Sequence, residues 1–310
     1  MKTQEEIFKT ISVSKIREFV SCQKRFEYKY VQGLEARTYQ RALEFGSIGH
    51  KFLELWYKSL KDNTVYDAMA VAEQIKLARG FDGFDAYSLQ QFETDVFTAC
   101  GMIEAYIQHY KTDIENYEIL LIEEMVNYET EINGIRLRGV PDLILKEKKS
   151  NFVWVVDHKF LAQITEGMVK KLPLDYQVHA YLKMVKPWLE KNHPTLFLRG
   201  VIYNIVRKPS KRLKKDQTLS EYQKELFEDY LLRPSEFFYR EMPIVTPQLM
   251  QNFDGFLDII TMDIKEKVAS GKFLQNIFAC DNYGQCAFLD LCLYGNASRH
   301  LYKETERDVK

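Results

Sequence analysis

Apolar residues recur along this chain with two periods. Three-and-four spacing predicts helices over Ile11–Tyr30, Leu43–Leu60 (Ile48, Phe52, Leu55, Trp56, Leu60) and Phe92–Ile107 (Phe92, Val96, Cys100, Ile103, Ile107). It predicts two more over Leu174–Leu189, which Pro187 should kink or shorten, and from Leu249 through Phe253, Phe256, Leu257, Ile260 and Ile264 to a stop near Gly271. Ser12 or Ser14 could cap the first of these helices. Between Tyr117 and Leu145 the pattern changes to that of a β-meander. Its first strand is Glu118–Val126, and Asn133-Gly134 forms a two-residue turn into Ile135–Val140. The runs Val140–Leu145 and Phe152–Val156, joined by the polar stretch Lys146–Asn151, read as an antiparallel hairpin, and Thr195–Val206 reads as a further strand.

The hairpin carries the first chemistry. Asp142 opens one strand and Asp157 closes the other, so the two positions lie opposite and both carboxylates can reach one point. Lys159, two residues past Asp157, shares its face. Two ionised carboxylates about 4 Å apart repel by roughly 4 kcal/mol at an effective dielectric near 20. A proton, Lys159 or a divalent cation would relieve that repulsion. Hard oxygen ligands suit Mg²⁺ or Mn²⁺, while a surface salt bridge accounts for the same three residues alone. Glu123 and Glu124 interrupt the strand before them, so one should face inward, as a helper to a metal site or as an edge-strand charge. His50 lies off its helix's apolar stripe, near the helix start and close to Gly46 and Gly49.

The cysteines form a second constellation. Cys280, Cys286 and Cys292 cluster in a loop with Asn282 and Gly284, followed by a short helical turn. Three thiols need a fourth for a tetrahedral or cuboidal site, and Cys22, mid-helix near Lys24, Arg25 and Lys29, is the candidate. An unliganded buried triad is the plainer alternative. Cys100 falls on an apolar stripe, where core packing explains it.

Composition narrows the class. In 310 residues, enough for one large domain or two, 46% are hydrophobic and 14% aromatic, which excludes disorder. The net charge of −1 means that nucleic-acid affinity must come from local patches. Candidates are Lys24, Arg25, Lys29 and the run Arg207–Lys215, which as a loop would otherwise be merely solvated. Met1–Thr10 is polar, carries Glu5 and Glu6 and does not read as a signal peptide. No apolar run reaches membrane-spanning length, so a cytoplasmic protein without disulfides and without a membrane partner is expected. No GxxxxGK[ST] phosphate loop occurs, which excludes an obvious ATP motor.

Taken in order, these segments resemble the RecB-like and Cas4-like branch of the PD-(D/E)XK nuclease superfamily, in its iron–sulfur members. SVSKIREFVSCQKRFEYKYV is similar to the opening helix with its cluster cysteine, FGSIGHKFLE to the histidine motif, GVPDLIL and VVDHK to the two signature halves, QVHAY to the following helix motif, and QCAFLDLC to the closing cysteines. The resemblance implies an α/β, restriction-endonuclease-like fold, with a mixed central sheet flanked by helices and chain ends joined by a metal cluster. It implies one nuclease domain over 1–310, with amino-terminal helices over 11–60, the core over 117–206 and the cysteine-rich segment over 272–300.

The function implied is a metal-dependent DNA exonuclease of recombination, repair or phage DNA processing; the competing reading is a nucleic-acid- or partner-binding module that no longer cleaves. Asp142, Asp157, the His158 carbonyl and His50 would hold Mg²⁺ or Mn²⁺. Lys159 would orient or deprotonate the attacking water or stabilise phosphate charge, Gln177 would position that lysine or the phosphate, and Tyr181 would contact the substrate backbone. Cys22, Cys280, Cys286 and Cys292 would hold a [4Fe-4S] cluster, with Zn²⁺ as the alternative. DNA would be the substrate and a helicase or recombination protein a further partner. The chain departs from the pattern in having Asp157 for the commoner Glu, Phe160 where a small hydroxyl residue is usual, and C-x5-C-x5-C for C-x2-C-x5-C.

Overall fold

The computed structural model describes residues 9–79, 85–281 and 284–305, so the leader reading on Glu5 and Glu6 and the loop residue Asn282 lie outside it. In chain order the strands are β1 (Thr10–Ile11), β2 (Leu34–Ala36), β3 (Tyr117–Ile122), β4 (Val126–Ile132), β5 (Ile135–Gly139), β6 (Leu143–Glu147), β7 (Phe152–Leu161), β8 (Phe197–Arg207), β9 (Phe238–Glu241) and β10 (Tyr302–Glu304). The α-helices of six residues or more are α1 (Val13–Ser21), α2 (Arg41–Asp62), α3 (Ala68–Arg79), α4 (Ala86–His109), α5 (Glu166–Lys171), α6 (Tyr176–Asn192), α7 (Leu219–Leu232), α8 (Pro247–Ser270) and α9 (Leu289–Tyr294). Among the described residues no helix is long and apolar enough to cross a membrane.

The chain divides into two compact units: one of residues up to Gln40, Val126–Gly139 and from Thr246 on, the other of Arg41–Met125 and Val140–Val245. The second holds a mixed sheet ordered β3-β6-β7-β8-β9. Its strands pair antiparallel except β7 and β8, which run parallel from Phe152↔Phe197 to Leu161↔Arg207. A parallel pair needs a long crossover, and α5 and α6 supply it. Successive β7 residues point to opposite faces. Lys159 meets Gln177 of α6 on one, and His158 stacks on Tyr57 of α2 on the other, so helices flank both sides. Val153, Val155, Val156, Ile144, Val201 and Ile202 are buried between them, as a twice-covered sheet requires.

Four expectations change here. β7 does not end at Asp157 but runs to Leu161, because its other edge continues to pair with β8. The meander is divided: β3 pairs with β6, whereas β4 pairs with β5 in another sheet, and the break falls at the charged Glu123 and Glu124. α6 runs on through Pro187 to Asn192, with Met184, Val185 and Leu189 buried around the missing N–H. α2 begins at Arg41, which puts His50 well inside the helix rather than near its start.

The first unit contains the sheet β1-β5-β4 and the pair β10-β2. Asn133 and Gly134 have φ of +52° and +73°, as the tight turn between β4 and β5 demands. Thr246 caps α8, Pro247 occupies its first turn, and Gly271 ends it at φ +66°. Ser12 caps α1, but the helix expected over Ile11–Tyr30 is interrupted. Cys22 is extended (φ −158°, ψ 110°), and Gln23–Phe26 starts a new turn. The Lys24 N–H then donates to the Leu274 carbonyl at 3.0 Å, a bond that an unbroken helix would not make.

Candidate active site

Asp142, just before β6, is 8% exposed, and Asp157, within β7, is fully buried. Asp142 Oδ2 accepts the His158 N–H at 2.6 Å, and Asp142 Oδ1 lies 3.3 Å from His50 Nδ1. The same His50 nitrogen is 3.8 Å from Glu123 Oε1. Glu123 rather than the exposed Glu124 turns towards His50. It does so with φ +48°, a left-handed conformation that costs a side-chain-bearing residue on the order of 1 kcal/mol, and its N–H donates to the Asp142 carbonyl at 3.1 Å. Donor atoms of His50, Glu123 and Asp142 all lie within 4.8 Å of one another.

On the other face of β7, Lys159 Nζ lies 2.5 Å from Asp157 Oδ2 and donates to Gln177 Oε1 at 3.0 Å. Gln177 Nε2 donates to Tyr181 Oη at 2.9 Å, and Tyr181 donates to the Val140 carbonyl at 3.3 Å. Lys159 is the charge partner of Asp157, and among the described residues neither Asp157 oxygen accepts a hydrogen bond from any other group. A buried carboxylate short of donors is expensive.

These environments push the carboxyl groups apart. Burial, opposed by Lys159 and reinforced by Asp142, holds Asp157 above the ordinary carboxylate range. Burial acts the same way on Asp142, but His50, His158 and Lys159 outweigh it and hold that group well below the range. Burial alone would lower His50, yet Asp142, with hydrogen bonds to Asp142 and Glu123, pushes it up to about 10. Burial pushes His158 down to about 3.

The donor set, an imidazole nitrogen with carboxylates beside an unsatisfied buried aspartate, fits Mn²⁺ or Mg²⁺. A ligating imidazole must be neutral, so metal uptake would release the His50 proton. Mn²⁺ affinity should therefore rise about tenfold per pH unit between pH 6.5 and 8.5; titration calorimetry in two buffers of different ionisation heat measures both affinity and proton release. A flat profile without proton release would show that His50 is already neutral before the metal binds. Without metal the sign reverses. A base with a raised value contributes stability below its unfolded pKa near 6.5, and that contribution is lost as pH climbs towards 10.

The two signature halves, Pro141-Asp142 at the entry to β6 and Asp157-His158-Lys159 on its neighbour β7, thus lie side by side, with the lysine on the second aspartate's face. The sequence profile of the PD-(D/E)XK nuclease superfamily matches residues 10–293. The chain belongs to that superfamily. A crystal structure from Eubacterium rectale, described as a "putative exonuclease", has a similar fold, with a TM-score of 0.51 at 14% identity over 99% of this chain and 93% of that one. No curated protein matches the sequence.

The PD-(D/E)XK chain fills the position after its lysine in an unusual way. Phe160 is 9% exposed, with its ring 5.7 Å from that of His50 and 6.4 Å from that of Phe45. A Cβ on Gly49 would meet it at 2.4 Å, so the glycine lets α2 approach β7. Gly49→Ala should cost about 1–3 kcal/mol, and Phe160→Thr in the same chain should recover part of the loss by opening that space. Urea melts of both single variants and the double variant measure the coupling, and additive losses would show that the ring can step aside.

In the first unit, all four expected cluster cysteines are free thiols. Burial, then the neighbouring Cys286 and Cys22, raise Cys280; burial likewise raises Cys292, which bonds Tyr28 and neighbours the other three. The Cys286 N–H donates to the Cys280 carbonyl at 2.7 Å, and Cys286 and Cys292 pack against a cluster of Tyr28, Leu34, Phe288, Leu291 and Tyr302. Cys100 is buried in α4 of the other unit.

The basic patches are largely matched by acids. Lys24 lies 2.6 Å from Glu27, Arg25 pairs with Glu18, and Lys29 is 3.7 Å from Glu18. Lys211 lies 3.3 Å from Glu225 and 3.6 Å from Asp229, and Lys214 is 3.3 Å from Glu225. Lys208 covers the Phe45 ring at 4.4 Å. These contacts anchor the Arg207–Lys215 loop to α7 and α2, a structural duty that the sequence pattern did not reveal.

Proposed function

We propose that this protein is a Mg²⁺- or Mn²⁺-dependent DNA exonuclease of the RecB-like and Cas4-like type, with the whole chain acting as one nuclease. The observation that carries the reading is the convergence of His50, Glu123 and Asp142, whose donor atoms lie within 4.8 Å of one another, with the Asp157–Lys159 pair on the adjoining strand β7. A divalent ion bound there would supply Lewis-acid polarisation of the scissile phosphate and relief of charge on the leaving oxygen. His50, Glu123, Asp142 and Asp157 would hold it, together with the His158 carbonyl. Lys159, steadied by Gln177 and Asp157, positions the attacking water or a phosphate oxygen. Tyr181 fixes Gln177 and faces the substrate backbone. The intact acids and lysine favour an enzyme over a binding module that no longer cleaves.

The same reading places a [4Fe-4S] cluster on Cys22, Cys280, Cys286 and Cys292. A tetrahedral Zn²⁺ on the same four sulfurs is the alternative. End-labelled single- and double-stranded DNA with Mg²⁺ or Mn²⁺ tests the activity. Mononucleotides or short oligonucleotides released from an end are expected; cleavage of closed circles alone would overturn the exonuclease reading.

A further inference from the structure

On the α2 side of the sheet, the second unit holds a row of polar side chains that the proposed chemistry does not use. His158, Asn204 and Arg240 are register partners across β7, β8 and β9, so they line up on one face of the sheet. Asn204 is fully buried. Its Oδ1 accepts from Arg240 Nε at 3.1 Å and from Tyr106 Oη at 3.0 Å. Arg240 also donates to both oxygens of Asp113, at 3.0 and 2.6 Å, and to Tyr106 Oη at 3.1 Å. Tyr57 donates to Asp113 at 3.1 Å, and its ring stacks on His158 at 5.8 Å and 15°.

The atom roles in this row follow from one fact: a guanidinium can only donate. Arg240 therefore fixes the Asn204 oxygen on its own side and turns the amide NH₂ towards His158 Nδ1, 2.8 Å away. Nδ1 must accept, so the neutral ring carries its proton on Nε2, and protonating Nδ1 as well would set two donors face to face. The backbone of the same residue donates to Asp142 Oδ2. Fixing the ring thus fixes the peptide that holds the carboxylate.

We propose that Asn204 and Arg240 are positioning residues, which lock His158 as the Nε2–H tautomer and, through its N–H, hold Asp142 for a divalent cation. The cation arm rests on the proposed function; the tautomer arm does not. The test is ¹⁵N-histidine correlation spectroscopy of the full chain, with the His158 signal assigned by its loss in His158→Gln, beside Mn²⁺ binding measured calorimetrically without DNA. The wild-type protein should show the Nε2–H pattern. Asn204→Asp, which puts an acceptor before Nδ1, should move the proton to Nδ1 and weaken Mn²⁺ about tenfold or more, the range seen for groups that orient metal ligands. Arg240→Lys, which keeps the charge beside Asp113 but loses the fork, should give mixed tautomers and an intermediate loss. An Nδ1–H signal in the wild type overturns the proposal whether or not either variant folds. So does a folded Asn204→Asp protein with unchanged tautomer and Mn²⁺ affinity. A wild type that shows the Nε2–H signal but binds no Mn²⁺ would count against the metal site and the coupling to it, while leaving the tautomer lock standing.

Discussion

For the proposed nuclease centre, Asp142→Asn should lower Mn²⁺-dependent DNA hydrolysis by about 10³-fold or more in single-turnover assays, the scale expected when an electrostatic anchor is removed. An amide keeps one oxygen for the His158 N–H but surrenders the charge that faces His50 at 3.3 Å. Lys159→Ala should fall as far without removing either member of that pair, since its direct partners are Asp157, Gln177 and the Tyr203 ring. Asp157→Asn separates stability from activity. Burial holds this carboxyl above its usual range, so the fold carries an unfavourable charge once pH exceeds its folded value, and an amide removes that cost. The metal-free variant should melt higher than wild type at pH 8 and be inactive. Asp142→Asn protein retaining more than a tenth of wild-type rate would disprove the assignment of the site.

With the proposed cluster in place, Cys286→Ala should abolish the brown colour expected of anaerobically purified protein and lower stability by several kcal/mol. Cys22 and Cys280 lie near opposite ends of the chain, and a clip between them removes a large loop-closure entropy from the unfolded state. The substitution also opens a gap beside Phe288 and Tyr302, where Cys286 packs. Visible absorbance and denaturant melts measure the two effects together. A colourless wild type binding one Zn²⁺ would replace the cluster; a coloured, equally stable variant would remove Cys286 from the ligand set.

Local spacing made much of the site legible. Strand alternation put Asp157 and Lys159 on one face, and helical spacing put Gln177 beside Tyr181; both are contacts between near neighbours in sequence. What local pattern could not carry was partnership at a distance. The pairing of β7 with β8, which places Asp157 inside a strand rather than at its end, depends on residues 40 or more positions away, such as Tyr203. The division of β3 from β4 is another such case: the apolar run over Glu118–Val126 reads as one strand until its two halves find different partners. Glu123 was one of two open choices, and its left-handed backbone settles which glutamate meets His50. The Asn204–Arg240 row carries no motif and is visible only once the sheet register is known.

The strand β10 has a practical consequence. It pairs with β2 from Tyr302↔Ala36 to Glu304↔Leu34, and the Tyr302 hydroxyl donates to the Ala287 carbonyl at 2.9 Å, next door to Cys286. Trimming the protein before Tyr302 would remove the partner of β2 and a ring of the apolar cluster against which Cys286 and Cys292 pack, so a purification handle is better attached beyond Thr305 than in place of this strand.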